Sequence, residues 1–215
     1  MEKDLGDYRK SYEKGELLLD NVPPHPMTLF ENWFVEVDTH FNVDEANAMT
    51  LSTFGLDGFP KSRVVLLKQY SEEGFVFYTN YTSEKGEAIS NNPNVCLSFF
   101  WHSAERQVII KGKATTVPES VSDDYFNSRP RGSQLGAIVS NQSEVLEDRA
   151  ILDAKLKALE NEYEGKPIER PHYWGGYSVE PVEIEFWQGR PNRLHDRVRY
   201  KLSKHKVWTI ERLSP

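Results

Sequence analysis

Cysteine is nearly missing from this chain. The single Cys96 among 215 residues excludes an internal disulfide and offers no metal-binding spacing. It lies in the apolar run Val95-Cys96-Leu97-Ser98-Phe99-Phe100, where a buried, inert thiol is expected. Apolar runs are short, so no segment has the length to span a bilayer as a helix. The first residues, Met1-Glu2-Lys3-Asp4-Leu5, carry no apolar signal region, which makes the cytoplasm the expected compartment. Neither a glycine-rich dinucleotide fingerprint nor a P-loop is present, so neither a Rossmann fold nor a nucleoside triphosphatase is indicated. Internal repeats and low-complexity tracts are missing as well. Nor is there an excess of positive charge: 26 Lys and Arg against 33 Asp and Glu leave a net charge of −7. A general nucleic-acid binder needs a broad basic surface. Local basic clusters in this acidic chain point instead to small anionic ligands.

What is present suffices for one domain, or for one domain with a small appendage. Residues 1–25 are charged and weakly periodic, and they read as an arm or short helix followed by the extended stretch Val22-Pro23-Pro24-His25-Pro26. Thr28 and Glu31 form a capping box, and Leu29, Phe30, Trp33, Phe34, Val37 and Phe41 follow at helical spacing as a core-facing stripe. Residues 47–54 read as a strand, with Gly55-Leu56-Asp57-Gly58 as a hairpin turn. Its partner, residues 61–70, reads as a buried strand in which Arg63 and Lys68, of opposite parity, face opposite ways. Residues 75–80 form another strand. Thr82-Ser83-Glu84-Lys85 then opens a helix whose free N–H groups, with Lys85, could hold an anion. Residues 95–101 and 106–117 make a further hairpin. Residues 118–128 read as a helix that places Tyr125 and Arg129 on one face, just before Ser133 near the next helix start. Residues 144–163 read as a long amphipathic helix, with Leu152, Leu156, Leu159 and Tyr163 on one side. Strands over 174–179 and 207–213 close the pattern. Many short strands with glycine-rich turns, and helices between them, argue a closed antiparallel sheet with helical additions.

One stretch stands out, residues 184–197. It begins as a strand, with Val182, Ile184 and Phe186 on one face and Glu183, Glu185 and Trp187 on the other. Gly189 and Pro191 interrupt it, and Arg193, His195 and Arg197 then alternate. On a resumed strand these groups share a face at roughly 6.6 Å spacing, and such a row repels itself unless an anion or electron-rich ligand lies on it. On composition alone, a solvated cationic edge strand is an equal alternative.

The pattern Glu185-Phe186-Trp187-Gln188, four residues, then Arg193-Leu194-His195-Asp196-Arg197 resembles the C-terminal signature of the pyridoxine (pyridoxamine) 5'-phosphate oxidases. Tyr125-Phe126-Asn127-Ser128-Arg129-Pro130 with Ser133-Gln134 and Gly136-Ala137 is a second match, and the resemblance covers residues 26–215. It implies a mainly β fold: an antiparallel Greek-key split β-barrel that binds FMN, with peripheral helices, preceded by a mobile arm over residues 1–25. It also implies a homodimer with FMN at the interface. By resemblance, Arg63, Val64, Val65, Leu66, Leu67, Lys68, Tyr78, Thr79, Ser83, Lys85, Gln107, Gln142, Ser143, Trp187 and Arg197 contact the flavin. Lys68, Tyr125, Arg129 and Ser133 hold the substrate phosphate. Arg193, Leu194 and His195 sit at the substrate ring, with Arg193 and His195 catalytic, and Arg9 and Tyr12 fold over it. Glu84 departs from the family, which has arginine there, and a carboxylate beside a phosphate is expected to point away from it. The implied reaction is oxidation of pyridoxine or pyridoxamine 5'-phosphate to pyridoxal 5'-phosphate, with O2 as acceptor and H2O2 released. Two other classes predict differently. A non-catalytic flavin or pyridoxal phosphate carrier makes no peroxide, and a split-barrel reductase acting on another acceptor has no need of Tyr125, Arg129 and Ser133.

Overall fold

The computed structural model describes residues 3–215. In chain order the elements are α1 (Pro26–His40), β1 (Ala48–Phe54), β2 (Pro60–Leu66), β3 (Gln69–Ser71), β4 (Gly74–Asn80), α2 (Glu84–Asn91), β5 (Asn94–Trp101), β6 (Arg106–Thr116), α3 (Glu119–Ser128), α4 (Arg131–Val139), α5 (Arg149–Glu162), β7 (Trp174–Gln188), β8 (Asp196–Leu202) and β9 (Trp208–Leu213). The strands form one sheet in the order β2-β1-β5-β6-β7-β4-β3, and β8 pairs with β7 and β9. The β3–β4, β4–β7, β7–β8 and β8–β9 pairs are all antiparallel. Among the described residues no helix is long and apolar enough to cross a membrane. The chain forms two compact units. The first holds the chain up to Thr50, Cys96–Lys111 and Pro181–Pro215; the second holds Leu51–Val95 and Gly112–Glu180.

In the first unit, α1 begins three residues earlier than the capping box implies. His25 is the N-cap, its ring accepting the Met27 N–H, and Pro26 takes the first helical position, where its missing N–H costs nothing. Met27, Leu29, Phe30, Trp33 and Val37 are buried from this helix. Phe30 meets Phe99 at 5.3 Å, and Trp33 meets Phe186 edge-on at 5.3 Å. The Trp101 indole N–H reaches the Ala46 carbonyl at 2.9 Å, so burying that ring leaves no donor unpaired. Cys96 is half-buried, with burial pushing its thiol pKa up, in keeping with an inert group. Residues 3–25 are irregular except for a short 3-10 turn at Leu19–Asn21.

In the second unit, Phe126, Leu135, Ile168 and Trp174 form a core cluster, with Leu156, Leu159 and Tyr163 of the α5 region packed on it. Helix α5 starts at Arg149, five residues later than the periodicity suggests. Asp148 caps it by accepting the Ala150 N–H at 2.8 Å. The preceding residues, including Val145 and Leu146, are exposed. Strand β2 differs most from expectation. It lies at one end of the sheet order, Val64 is 68% exposed, and the strand stops at Leu66 before β3 resumes at Gln69. The parity argument for Arg63 and Lys68 therefore does not carry across the break, because alternation holds only within a continuous strand.

Candidate functional site

The second unit contains a cavity of about 470 Å³ lined by Val64, Val65, Leu66, Lys68, Tyr78, Thr79, Lys85, Tyr125, Arg129, Pro130, Ser133, Gln142 and Trp174. Its floor follows from local sequence. Tyr78 pairs with Gly176 across β4 and β7, and a Cβ at Gly176 would come within 2.9 Å of the Tyr78 ring. Glycine there lets the tyrosine lie flat on the sheet. Tyr78 then stacks on Tyr125 at 3.8 Å and on Trp174 at 5.6 Å.

Arg129 is not on the helix face shared with Tyr125. It is the extended residue after α3, with φ −72° and ψ 148°, and Pro130 is the N-cap of the next helix. A proline disfavours helical geometry in the residue before it. This break turns the Arg129 guanidinium over the Trp174 ring at 4.6 Å. Burial pushes its pKa down, with Tyr125 opposing. Its Nη1 is buried and has no hydrogen-bond partner among the described residues. Unpaired buried donors are rare and costly. Ser133 sits in the first turn of α4, so a guanidinium, a phenol, a hydroxyl and the Lys68 ammonium share one cavity with a helix N-terminus.

At the same cavity, Lys85 is buried in the first turn of α2. Its Nζ donates to Gln142 Oε1 at 2.6 Å and to Ser83 Oγ at 3.2 Å. Burial, then the nearby Arg63 charge, pulls its pKa down to about 8. Thr79 Oγ1 also donates to Gln142 Oε1, at 3.1 Å. Ser83 caps α2, and Ser143, in a left-handed conformation with φ 80°, accepts the Glu84 N–H at 3.3 Å. Arg63 is held by Thr53 Oγ1 at 2.8 Å and by the carbonyls of Leu51 and Lys61. The Glu84 carboxylate is taken up by Lys61. Leu67 is buried, and neither it nor Arg63 lines the cavity. Sequence reasoning missed Trp174 and Pro130; the Trp-Gly-Gly run at the start of β7 was the available signal for the first.

The first unit has its own cavity, about 610 Å³, lined by Tyr8, Arg9, Lys10, Ser11, Tyr12, Arg190, Asn192, Arg193 and His195. The expected row of cations along a resumed strand is not there. Pro191–Arg193 is a short 3-10 turn, and Asn192 and Arg193 both have positive φ, 57° and 61°. Such conformations in non-glycine residues cost about 1–3 kcal/mol each and gather at functional sites. Only Arg197 of the row lies on β8. Its Nε binds Glu185 at 2.7 Å and its Nη1 the Ser214 carbonyl at 2.8 Å, so its charge is already answered. His195 Nδ1 accepts the Arg190 N–H at 3.1 Å, which leaves the proton of the neutral ring on Nε2. Burial, then the Arg193 charge, lowers its pKa. The Trp187 indole lies 4.6 Å from His195 and 5.7 Å from Tyr12. A Cβ at Gly189 would approach Tyr12 to 2.8 Å. Leu194 is exposed outside the cavity lining. Gln107 donates to Ser98 Oγ at 3.3 Å.

The family model "Pyridoxamine 5'-phosphate oxidase" matches residues 38–162. A second model, "Pyridoxine 5'-phosphate oxidase C-terminal dimerisation region", matches residues 174–215. The chain belongs to the pyridoxine/pyridoxamine 5'-phosphate oxidase family. Proteins of that name from Flavobacterium psychrophilum and Christiangramia forsetii are 67% and 54% identical to it; the first alignment covers 99% of this chain and 100% of the relative, the second the whole of both. Like these relatives, the chain is an oxidoreductase. Among solved structures, PhzG from Burkholderia lata 383, in complex with tetrahydrophenazine-1-carboxylic acid, superposes with a TM-score of 0.87 at 30% identity, over 94% of this chain and 100% of its own. An FMN-binding protein related to pyridoxamine 5'-phosphate oxidase, from Nostoc punctiforme, has a TM-score of 0.70 at 14% identity, over 90% of this chain and 100% of its own, a likeness of fold alone. The fold is the mainly β split-barrel fold of this oxidase family.

Proposed function

We propose that this chain oxidises pyridoxine 5'-phosphate, or pyridoxamine 5'-phosphate with one water consumed and ammonia released, to pyridoxal 5'-phosphate, using FMN and passing two electrons and two protons to O2 as H2O2. The observation that carries the reading is the buried, unpartnered Nη1 of Arg129 in a cavity shared with Lys68, Tyr125 and Ser133. A phosphate monoester answers such a donor set, since guanidinium groups bind it bidentately and the helix N-terminus favours its charge. The PhzG likeness makes the identity of the substrate a real question within this fold, and it is this cluster that argues for a phosphorylated one.

The residues present also fit FMN. Lys85, Ser83, Gln142 and Ser143, with Arg63 nearby, form a polar group able to hold its phosphate. The apolar edge Val64-Val65-Leu66, with Val64 exposed and the other two half-buried, offers a surface for its ring, and Gln107, Trp187 and Arg197 are the further contacts that family resemblance implies. FMN supplies the two-electron acceptor when bound. The protein's part is to bind and orient. Lys68, Tyr125, Arg129 and Ser133 anchor the phosphate end, away from the chemistry. Arg193 and His195, with Leu194, hold the pyridine ring and stabilise charge that develops at C4′ and its heteroatom. The Nε2–H of His195 is the donor available for that purpose. Arg9 and Tyr12 close over the ring. We further propose a homodimer, with FMN at the interface and ligands from both chains, acting in the cytoplasm. The 174–215 match to a dimerisation region supports the dimer.

The test is spectroscopic. Adding pyridoxine 5'-phosphate to the purified holoenzyme without oxygen should bleach the flavin bands, and admitting oxygen should restore them with peroxide formed. Unchanged bands would overturn the assignment.

Lys85 adds a pH prediction. Its pKa of about 8 lies below the ordinary lysine value of 10.5, so above pH 8 the free protein carries it neutral. A phosphate dianion favours the ammonium and must restore the proton on binding. FMN affinity is therefore expected to be flat below pH 8 and to fall by up to about tenfold per pH unit above it. Lys85→Met should bind more weakly at pH 7 and lose this slope. Fluorescence titration of the apoprotein from pH 7 to 9.5 measures both.

A further inference from the structure

We propose that Glu105 is a positioning residue for this reaction: its buried carboxylate grips the arm at residues 13 and 14 and thereby sets Arg9 and Tyr12 against the Arg193–His195 cavity. The inference rests on the function proposed above and adds a residue to it.

Glu105 ends the turn between β5 and β6 in a left-handed conformation, φ 56°, and is only 2% exposed. A buried carboxylate needs several donors to offset its lost hydration. All of the donors it finds come from the arm. Oε2 accepts the N–H groups of Glu13 at 2.8 Å and Lys14 at 3.0 Å, and Oε1 pairs with Lys10 Nζ at 3.2 Å. Meanwhile its own carbonyl accepts the Gly189 N–H at 2.8 Å and Gln188 Nε2 at 3.2 Å. One residue therefore ties the arm to the end of β7, next to Trp187. Tyr12, one residue before the grip, packs on Trp187 and His195.

The grip is placed where it matters. Beyond it, the chain is fixed again, with the Leu17 N–H on Asp196 Oδ2 at 3.0 Å and the Gly15 carbonyl on Arg190 at 3.1 Å. Before it, the hydrogen bonds of residues 6, 8 and 9 are local to the arm. Losing the carboxylate should thus free the segment that carries Arg9 and Tyr12 while leaving residues 15–17 anchored. A side chain that served only the stability of the turn would have no reason to collect its donors from the arm, whose Lys10 also lines the cavity.

The experiment uses the full-length holoenzyme. Glu105→Gln keeps the shape and removes the charge. It should raise KM for pyridoxine 5'-phosphate at least fivefold, leave kcat within twofold and leave bound FMN unchanged. Combined with Tyr12→Ala, it should add less than twofold to the KM of Tyr12→Ala alone, because both changes remove the same wall. Hydrogen exchange at the Glu13 and Lys14 amides should accelerate at least tenfold. Unchanged exchange, unchanged KM or fully additive effects would overturn the proposal. Should the wild type show no oxidase activity, the functional reading falls and the exchange rates alone decide the grip. If Glu105→Gln does not fold, Lys10→Glu, which places a repelling charge at an exposed position, must show the same faster exchange for the proposal to stand.

Discussion

Arg193→Ala is expected to lower turnover at least tenfold, and up to about a thousandfold, the upper end of the loss seen when a preorganised donor to developing charge is removed. Flavin content should be unchanged. The structure makes this a clean substitution. Arg193 is exposed, lines the first-unit cavity, and makes no hydrogen bond or ion pair among the described residues. Its backbone is held at φ 61° by the Pro191–Arg193 turn, a conformation that alanine adopts at similar cost. Removing the side chain thus takes away a charge and little else. A steady-state assay with substrate saturating, beside the flavin absorbance of the same sample, measures the two quantities. Full turnover in the variant would remove Arg193 from the mechanism.

Arg129→Ala should act differently, raising KM by about ten- to 150-fold, the equivalent of the 1.5–3 kcal/mol typical of a hydrogen bond to a charged group, with kcat changed far less. The reason is position. In the proposed reading Arg129 binds the phosphate end, and an anchor that holds ground state and transition state equally alters KM more than kcat. Its guanidinium also covers Trp174, so Arg129→Lys is the needed control. Lysine keeps the charge but lacks the planar fork, and a partial KM effect is expected. An effect confined to kcat would contradict the anchoring role. Measured with a substrate lacking the phosphate, wild type and Arg129→Ala should converge.

Much of this could be read along the chain. Periodicity located α1, the β1–β2 turn and the β5–β6 hairpin, because one apolar face per element is a local property of the sequence. The Tyr125–Ala137 and Glu185–Arg197 patterns marked the family, and the chain's match to it bears that out. Element ends were less legible. A capping box at Thr28 competed with His25-Pro26, and the proline decided; the apolar content of residues 144–148 extended α5 on paper, although Asp148 caps it.

The sequence alone determined which side chains are available: an acidic chain with a few basic clusters, one thiol, and glycines at Gly176 and Gly189 where rings must lie close to backbone. Only the tertiary structure decided which of those charges are free. Arg197 looks like a member of one cationic row with Arg193 and His195, yet Glu185 on the neighbouring strand neutralises it. Arg193 leaves the row because two left-handed residues turn the chain there. Glu105 lies in the turn between β5 and β6, yet its donors come from the arm, some ninety positions earlier in sequence. Charge is written locally, but its partners are chosen by contacts distant in sequence, and those exist only after folding.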